Sequence, residues 1–66
     1  AMKMIAQETI TKNRKLLEIF TIQDGNDVIT ITRVGVENFV GGVRKLADGR
    51  CIDEPNARNI HANLCA

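Results

Sequence analysis

The chain has 66 residues, of which 44% are hydrophobic and 26% charged, and nine Lys and Arg against eight Asp and Glu give a net charge of +1. These values are ordinary for one small folded domain, and they exclude a two-domain enzyme, a large barrel and a disordered tail. A chain this short buries only about 60% of the surface that it exposes when extended, so we expect stabilisation from beyond its own core.

The composition does not indicate binding to membranes or to nucleic acids. No apolar stretch approaches the roughly 20 residues that cross a bilayer, and residues 1–4 lack the apolar core of a signal peptide. We therefore expect a cytoplasmic protein that does not bind membranes. A net charge of +1 creates no strong field around the molecule, and two Phe with no Trp or Tyr provide little surface for base stacking.

The first predicted strand covers residues 4–11 and returns through a loop at residues 12–14. The expected register pairs three apolar couples, Met4 with Ile22, Ala6 with Phe20, and Ile10 with Leu16. It also sets Glu8 beside Glu18, an unfavourable pair of like charges. A helix over residues 5–20 is the alternative, because its second half contains good helix formers, although the Thr-Ile-Thr run inside it disfavours a helix.

The middle of the chain predicts a β-hairpin. Two segments rich in β-branched residues, Leu16–Gln23 and Val28–Val34, flank the turn sequence Asp-Gly-Asn-Asp at residues 24–27. With Gly25 and Asn26 at the tip, six cross-strand pairs follow: Ile22 with Ile29, Phe20 with Ile31 and Glu18 with Arg33 on one face, and Leu17 with Val34, Ile19 with Thr32 and Thr21 with Thr30 on the other. A slip of one residue would exchange the two faces, so the agreement within each set supports this register.

After the hairpin, apolar residues recur at spacings of three and four: Val36, Phe39, Val40, Val43, Leu46 and Ala47. This spacing predicts an amphipathic helix over residues 35–49, with Glu37 in its first turn and Gly49 at its end. Gly41 and Gly42 fall inside this helix, where each costs about 1 kcal/mol relative to alanine. They indicate either a kink or a close contact with another element.

The remaining residues, 50–66, predict a tail with a short helix. Asp53-Glu54-Pro55 is typical of a helix start, and Ile60 and Leu64 would form the apolar side. The predicted fold is therefore α+β: a three-stranded antiparallel β-meander (residues 1–34) packed on one amphipathic helix, with a short C-terminal helix. All of it forms one domain over residues 1–66.

Cys51, His61 and Cys65 form the one group with the character of metal ligands. On a helix, His61 and Cys65 share a face, but the short paired spacings of structural zinc sites are missing. A small zinc-stabilised domain is thus our third hypothesis, and free or disulfide-bonded thiols are the alternatives. We predict no catalytic residues, no enzyme activity and no cofactor, because a chain of this length has little surface with which to shape an active site.

A basic cluster, Lys12, Asn13, Arg14 and Lys15, lies at the predicted tip between the first two strands. Such a tip can contact phosphates, so a nucleic-acid-binding module is our second hypothesis. Turns are often basic simply because they are solvated, and a soluble loop is the simpler interpretation.

Self-association is our leading hypothesis. The predicted helix covers one face of the sheet and leaves apolar residues uncovered on the other, and the uncharged strand Val28–Thr32 is expected at a sheet edge. The candidate interface residues are Leu17, Ile19, Val28, Thr30, Thr32, Val34, Gly41 and Gly42. The predicted function is a non-enzymatic binding or regulatory module that acts as a homodimer, with a second copy of itself as partner and another protein as a further one.

Overall fold

A computed structural model describes residues 1–36 and 38–65. Within them, five strands and one helix follow in chain order: β1 (Met2–Lys12), β2 (Lys15–Asp24), β3 (Asp27–Val34), β4 (Asn38–Lys45), β5 (Cys51–Asp53) and α1 (Ala57–Leu64). The strands form one antiparallel sheet in the order β1-β2-β3-β4-β5. The prediction of a three-stranded meander packed on an amphipathic helix is therefore wrong, since the sheet has five strands and its one helix is short and C-terminal.

The hairpin of β2 and β3 has the predicted register. All six expected pairs form, and the tip lies at Gly25 and Asn26 between Asp24 and Asp27. Gly25 has a φ of 61°, a conformation that glycine adopts without strain. Like side chains face each other across these two strands, which fixes the faces of the sheet.

β1 is a strand, as expected, and the alternative helix over residues 5–20 does not form. Its predicted pairs with β2 are wrong by one residue except at Met4, which does face Ile22. The predicted three-residue loop is a two-residue turn, with Asn13 and Arg14 at φ of 52° and 64°, and a bulge next to Ile5 absorbs the difference in register. The like-charge pair is avoided, because Thr9 instead of Glu8 faces Glu18.

The predicted helix over residues 35–49 is wrong, because β4 occupies most of it. β4 pairs with β3 and contains a bulge at Val40, since Arg33 faces Phe39 while Thr32 faces Gly41. Two glycines in mid-helix and the β-branched and aromatic residues around them favour the strand. The expected position of Glu37 in a first helical turn falls outside the described residues.

The end of the predicted helix forms the connection between β4 and β5. Leu46 donates its amide to the carbonyl oxygen of Arg50 at 2.8 Å, and Gly49 donates to that of Leu46 at 2.9 Å. Gly49 has a φ of 94° and thus closes a loop instead of a helix. Because β4 pairs along β3, the segment Val28–Thr32 lies in the middle of the sheet, and its predicted edge position is wrong.

The hydrophobic core lies between one face of the sheet and α1. Its buried residues are Phe20, Ile22, Ile29, Ile31, Ala57 and Ile60, and Met4, Phe39 and Leu64 pack against them. This is the sheet face that the sequence predicts to be covered, but α1 covers it, and the predicted helix through Phe39 and Val43 does not exist. α1 begins at Ala57, two residues after Pro55, and no described helix has the length and apolar character to cross a membrane.

Candidate interaction surface

The face of the sheet opposite α1 is uncovered. By strand register this surface, the open face, comprises Ala6, Glu8, Ile10, Leu17, Ile19, Thr21, Val28, Thr30, Thr32, Val34, Gly41 and Val43. Within residues 1–36 and 38–65, no helix or strand packs over it, since α1 packs against the core on the other side. The alternation of side chains along each strand produces this second, partly apolar surface.

The apolar side chains of the open face stay in contact with solvent. Ile10 is 41% exposed and Val43 44% exposed, whereas the core isoleucines of the sheet, Ile22, Ile29 and Ile31, are 0% exposed. The whole chain exposes 4663 Å². A compact monomer of 7.3 kDa is expected to expose about 4,200 Å². The molecule therefore keeps more surface than its mass requires.

The predicted interface residues lie on the open face with one exception. Gly42 faces α1, where an added Cβ would lie 2.7 Å from the carbonyl oxygen of Glu54 and 3.1 Å from the Cβ of Ala57. Assigning Gly42 to the interface is therefore wrong, because its role is to let β4 and the start of α1 approach closely.

Ala6, Ile10 and Val43 are apolar residues of the open face that lie outside the predicted interface. The predicted register of β1, displaced by one residue, puts Ala6 and Ile10 on the covered face, and Val43 falls within the predicted helix. The β-branched character of Val43 and its neighbours was the signal that pointed to a strand.

Charged residues of both signs lie at the margins of the open face. Glu8 on β1 and Asp53 on β5 are acidic, and Lys3 on β1 and Lys45 on β4 are basic. By the same register Lys12 and Lys15 at the turn between β1 and β2 also lie on this side, so the face carries four basic and two acidic residues. A surface with margins of both signs can be complementary to a second copy of itself.

On the covered side, Arg33 connects the core to a salt bridge. Its Nε and Nη2 donate to Oε1 of Glu18 at 3.1 and 2.9 Å. The guanidinium carbon lies 5.2 Å from the ring centroid of Phe20 and 5.7 Å from that of Phe39, within cation–π distance. This arrangement confirms the predicted pairing of Glu18 with Arg33 and shows its packing role.

A second charge cluster holds three parts of the chain together. Arg44 Nη1 donates to Oδ2 of Asp24 at 2.9 Å and to Oδ2 of Asp27 at 3.0 Å, while Arg44 Nε donates to Oε1 of Glu54 at 3.0 Å. The hydrogen bonds to Asp24, Glu54 and Asp27 raise the pKa of Arg44 further above its ordinary value. The cluster thus ties the hairpin tip and the segment before α1 to β4.

The structure does not assemble the predicted metal ligands. His61 packs at 4.7 Å from Phe20 and 5.4 Å from Phe39 between ring centroids, and its burial, with the nearby charge of Arg33, lowers its pKa. Cys51 in β5 and Cys65 after α1 are free and exposed. Among the described residues no group of three or more His, Cys, Asp or Glu is placed to hold a metal.

The predicted basic tip does exist. Lys12, Asn13, Arg14 and Lys15 are all exposed at the turn between β1 and β2. The salt bridges found within the described residues involve Arg33, Arg44 and Arg50, and none of the tip cations. The tip is a solvated positive projection at one end of the sheet.

A groove that the sequence does not reveal lies where β4 passes the start of α1. Its volume is about 280 Å³, and its lining includes Phe39, Val40, Gly41, Pro55, Ala57 and Arg58. It forms because Gly42 allows the segment before α1 to approach β4. This depends on contacts between distant parts of the chain.

Comparisons with protein-family models, with curated proteins and with solved structures found no match to this chain. The functional conclusion therefore rests on the surfaces described above.

Proposed function

We propose that the protein is a non-enzymatic binding module that acts as a homodimer, in which the open faces of two copies pack against each other. The observation that carries this proposal is the exposed apolar area on one side of a sheet whose other side holds the packed core under α1. Water contact with this area is unfavourable by about 25 cal/mol for each Å² of apolar surface. The open face of a second copy, packed on this area, would exclude the water from it.

The dimensions and side chains of the open face suit such packing. The molecule extends 36 by 25 Å in its two longer directions, which is enough for the roughly 800 Å² per partner that stable interfaces bury. Two sheets pack about 10 Å apart, with branched side chains interdigitating between them. The threonines in the middle of the face can exchange hydrogen bonds with their counterparts.

We place this role in the cytoplasm. Cys51 and Cys65 are both exposed and unpaired, a state that thiols keep in a reducing compartment. Experiments on the dimer should therefore include a reductant, so that a disulfide between copies does not imitate the interface.

The test is the solution mass of two matched variants. Thr30 lies in the middle of the open face, opposite Thr21 and Val43, and Thr30→Lys places a charge there at a cost in strand propensity below about 1 kcal/mol. Asn63→Lys adds the same charge on the exposed surface of α1. Light scattering should give twice 7.3 kDa for the natural chain and for Asn63→Lys, and 7.3 kDa for Thr30→Lys. A natural chain that stays monomeric at millimolar concentration would contradict the proposal.

The basic tip supports a second candidate, binding of nucleic acid to the turn between β1 and β2. Its support is the exposure of Lys12, Arg14 and Lys15 outside every salt bridge found in the described residues. Binding of this kind would weaken with salt by about −0.9 in log K per log salt for each phosphate contacted. Changing the three cations to glutamine should abolish it, and no binding of duplex or single-stranded DNA at low salt would contradict it.

A further inference from the structure

The outer side of β4 is only partly paired. β5 pairs with Val43–Lys45, and Glu54 then donates its amide to the carbonyl oxygen of Gly42 at 2.9 Å. Beyond that bond the chain leaves the sheet through Pro55 and enters α1. The first half of β4, residues 38–41, therefore has β3 on one side and no strand of the described residues on the other. Its outward main-chain groups are available to a strand-like ligand.

The groove beside this half-strand is suited to side chains of an extended peptide. Phe39, Val40, Pro55 and Ala57 contribute apolar lining, and Glu54 and Arg58 contribute charged lining. Its volume of about 280 Å³ lies just below the range of 300–1,000 Å³ typical of small-molecule sites. A cleft between an edge strand and a helix, sized for one or two side chains, is the geometry used in strand addition. Gly41 has no atom near the position of its missing Cβ, which leaves room for a close main chain.

The two edges of the sheet differ in the features that prevent pairing with another chain. β1 carries Lys3, Glu8 and Lys12 together with a bulge at Ile5, all features that discourage pairing with another chain. Residues 38–41 have the sequence Asn-Phe-Val-Gly and carry no charge. An edge strand without charged residues, next to a groove, is suited to binding another strand more than to excluding it.

We infer that residues 38–41 bind an extended, uncharged peptide segment by strand addition, along the line that β5 leaves open, with one side chain of the peptide in the groove. The site differs from the open face, since it involves the edge of β4 and the covered side of the sheet, and Gly41 is the residue that the two share. Main-chain hydrogen bonds provide most of the affinity, so recognition tolerates different sequences.

The test uses the peptide acetyl-TVTVT-amide added to the isotope-labelled full chain, with acetyl-TPTPT-amide as the control that lacks the alternate amide donors. Amide resonances of residues 39–42 and 57–58 should shift with the first peptide and stay unchanged with the second. Carrying out the titration on Thr30→Lys as well separates this site from the proposed dimer, because that variant leaves β4 and the groove intact whatever its oligomeric state.

Two variants, one on each edge strand, test where the peptide binds. Val40→Lys places a charge on the β4 edge and should raise the dissociation constant of the peptide by about tenfold, while Thr9→Lys on β1 should leave it unchanged. Thermal unfolding of both variants checks that they remain folded, and if Val40→Lys does not fold, the resonance shifts of the natural chain decide alone. Shifts confined to β1 or to the open face, or no shifts with millimolar acetyl-TVTVT-amide, would overturn the inference.

Discussion

The covered and the open face of the sheet are built from similar side chains but lie in different environments. On the covered face, Ile22, Ile29 and Ile31 are completely buried in the core, whereas Ile10 and Val43 on the open face keep about two fifths of their surface in water. α1 has eight residues, so it can cover one side of the sheet and no more. The difference shows that this short chain completes one core and leaves a second, partly apolar surface exposed.

The largest expected effect is on the free energy of unfolding when one isoleucine on each face is truncated to alanine. Ile31→Ala on the covered face should reduce the free energy of unfolding by about 2–5 kcal/mol, because it leaves a cavity in a packed core. Ile19→Ala on the open face should cost less than about 1.5 kcal/mol in the monomer, because Ile19 is only half-buried. Urea unfolding at low protein concentration measures both, and equal losses would show that the open face is already packed in one copy.

A smaller effect is expected at the paired glycines of β4. Gly42→Ala should destabilise by about 1–3 kcal/mol, because the new methyl group meets the carbonyl oxygen of Glu54, which is backbone and cannot rotate away. Gly41→Ala points to the open face with free space around it and should be neutral or stabilise by about 0.4–1 kcal/mol. Thermal unfolding of both variants compares the faces at adjacent positions. A harmless Gly42→Ala would contradict the close approach of α1 to β4.

The smallest effect concerns pH and the packing of α1. His61 has its pKa lowered in the folded chain by burial and then by the charge of Arg33, with Glu18 acting in the opposite direction. Below about pH 6.5 the unfolded chain therefore binds a proton that the folded chain resists, so stability falls as pH drops through this range and is complete above it.

His61 is the single histidine of the chain, which makes a clean control available. His61→Phe keeps a ring between Phe20 and Phe39 and removes the titration. Its melting temperature should change less between about pH 7.5 and about pH 5.5 than that of the natural chain. The same loss in both proteins would assign the pH dependence to other groups.

The hairpin of β2 and β3 was predictable because its turn and its cross-strand pairs indicate the same register. A tight turn fixes the register, and every pair that follows joins side chains of the same character, from Ile22 with Ile29 to Glu18 with Arg33. No such check exists for β1, where a turn of two residues and one of three fit the sequence equally well. The bulge beside Ile5 then shifts the register within the strand, which periodicity alone does not reveal.

β4 was predicted as a helix because its bulge imitates helical spacing. The extra residue, Val40, places Phe39 and Gly42 on the same face although they are three positions apart. In an uninterrupted strand, residues on the same face are two or four positions apart. The cost of two adjacent glycines in a helix was the signal against that prediction.

The candidate surface was predictable in part. Leu17, Ile19 and Val34 follow from the hairpin register, so the sequence identifies the middle of the open face. The misassignment of Gly42 and the groove at the edge of β4 both depend on where the start of α1 packs, and that is set by contacts between residues far apart in the chain. Periodicity carries no information about such contacts.

The most direct measurement looks for contacts between two copies across the open face. A sample that mixes isotope-labelled and unlabelled chains in reductant allows isotope-filtered NOE spectra to detect only contacts between copies. The proposal predicts such contacts for the methyl groups of Ile19, Val28 and Val43. Their absence at millimolar concentration, or contacts confined to β1, would contradict it.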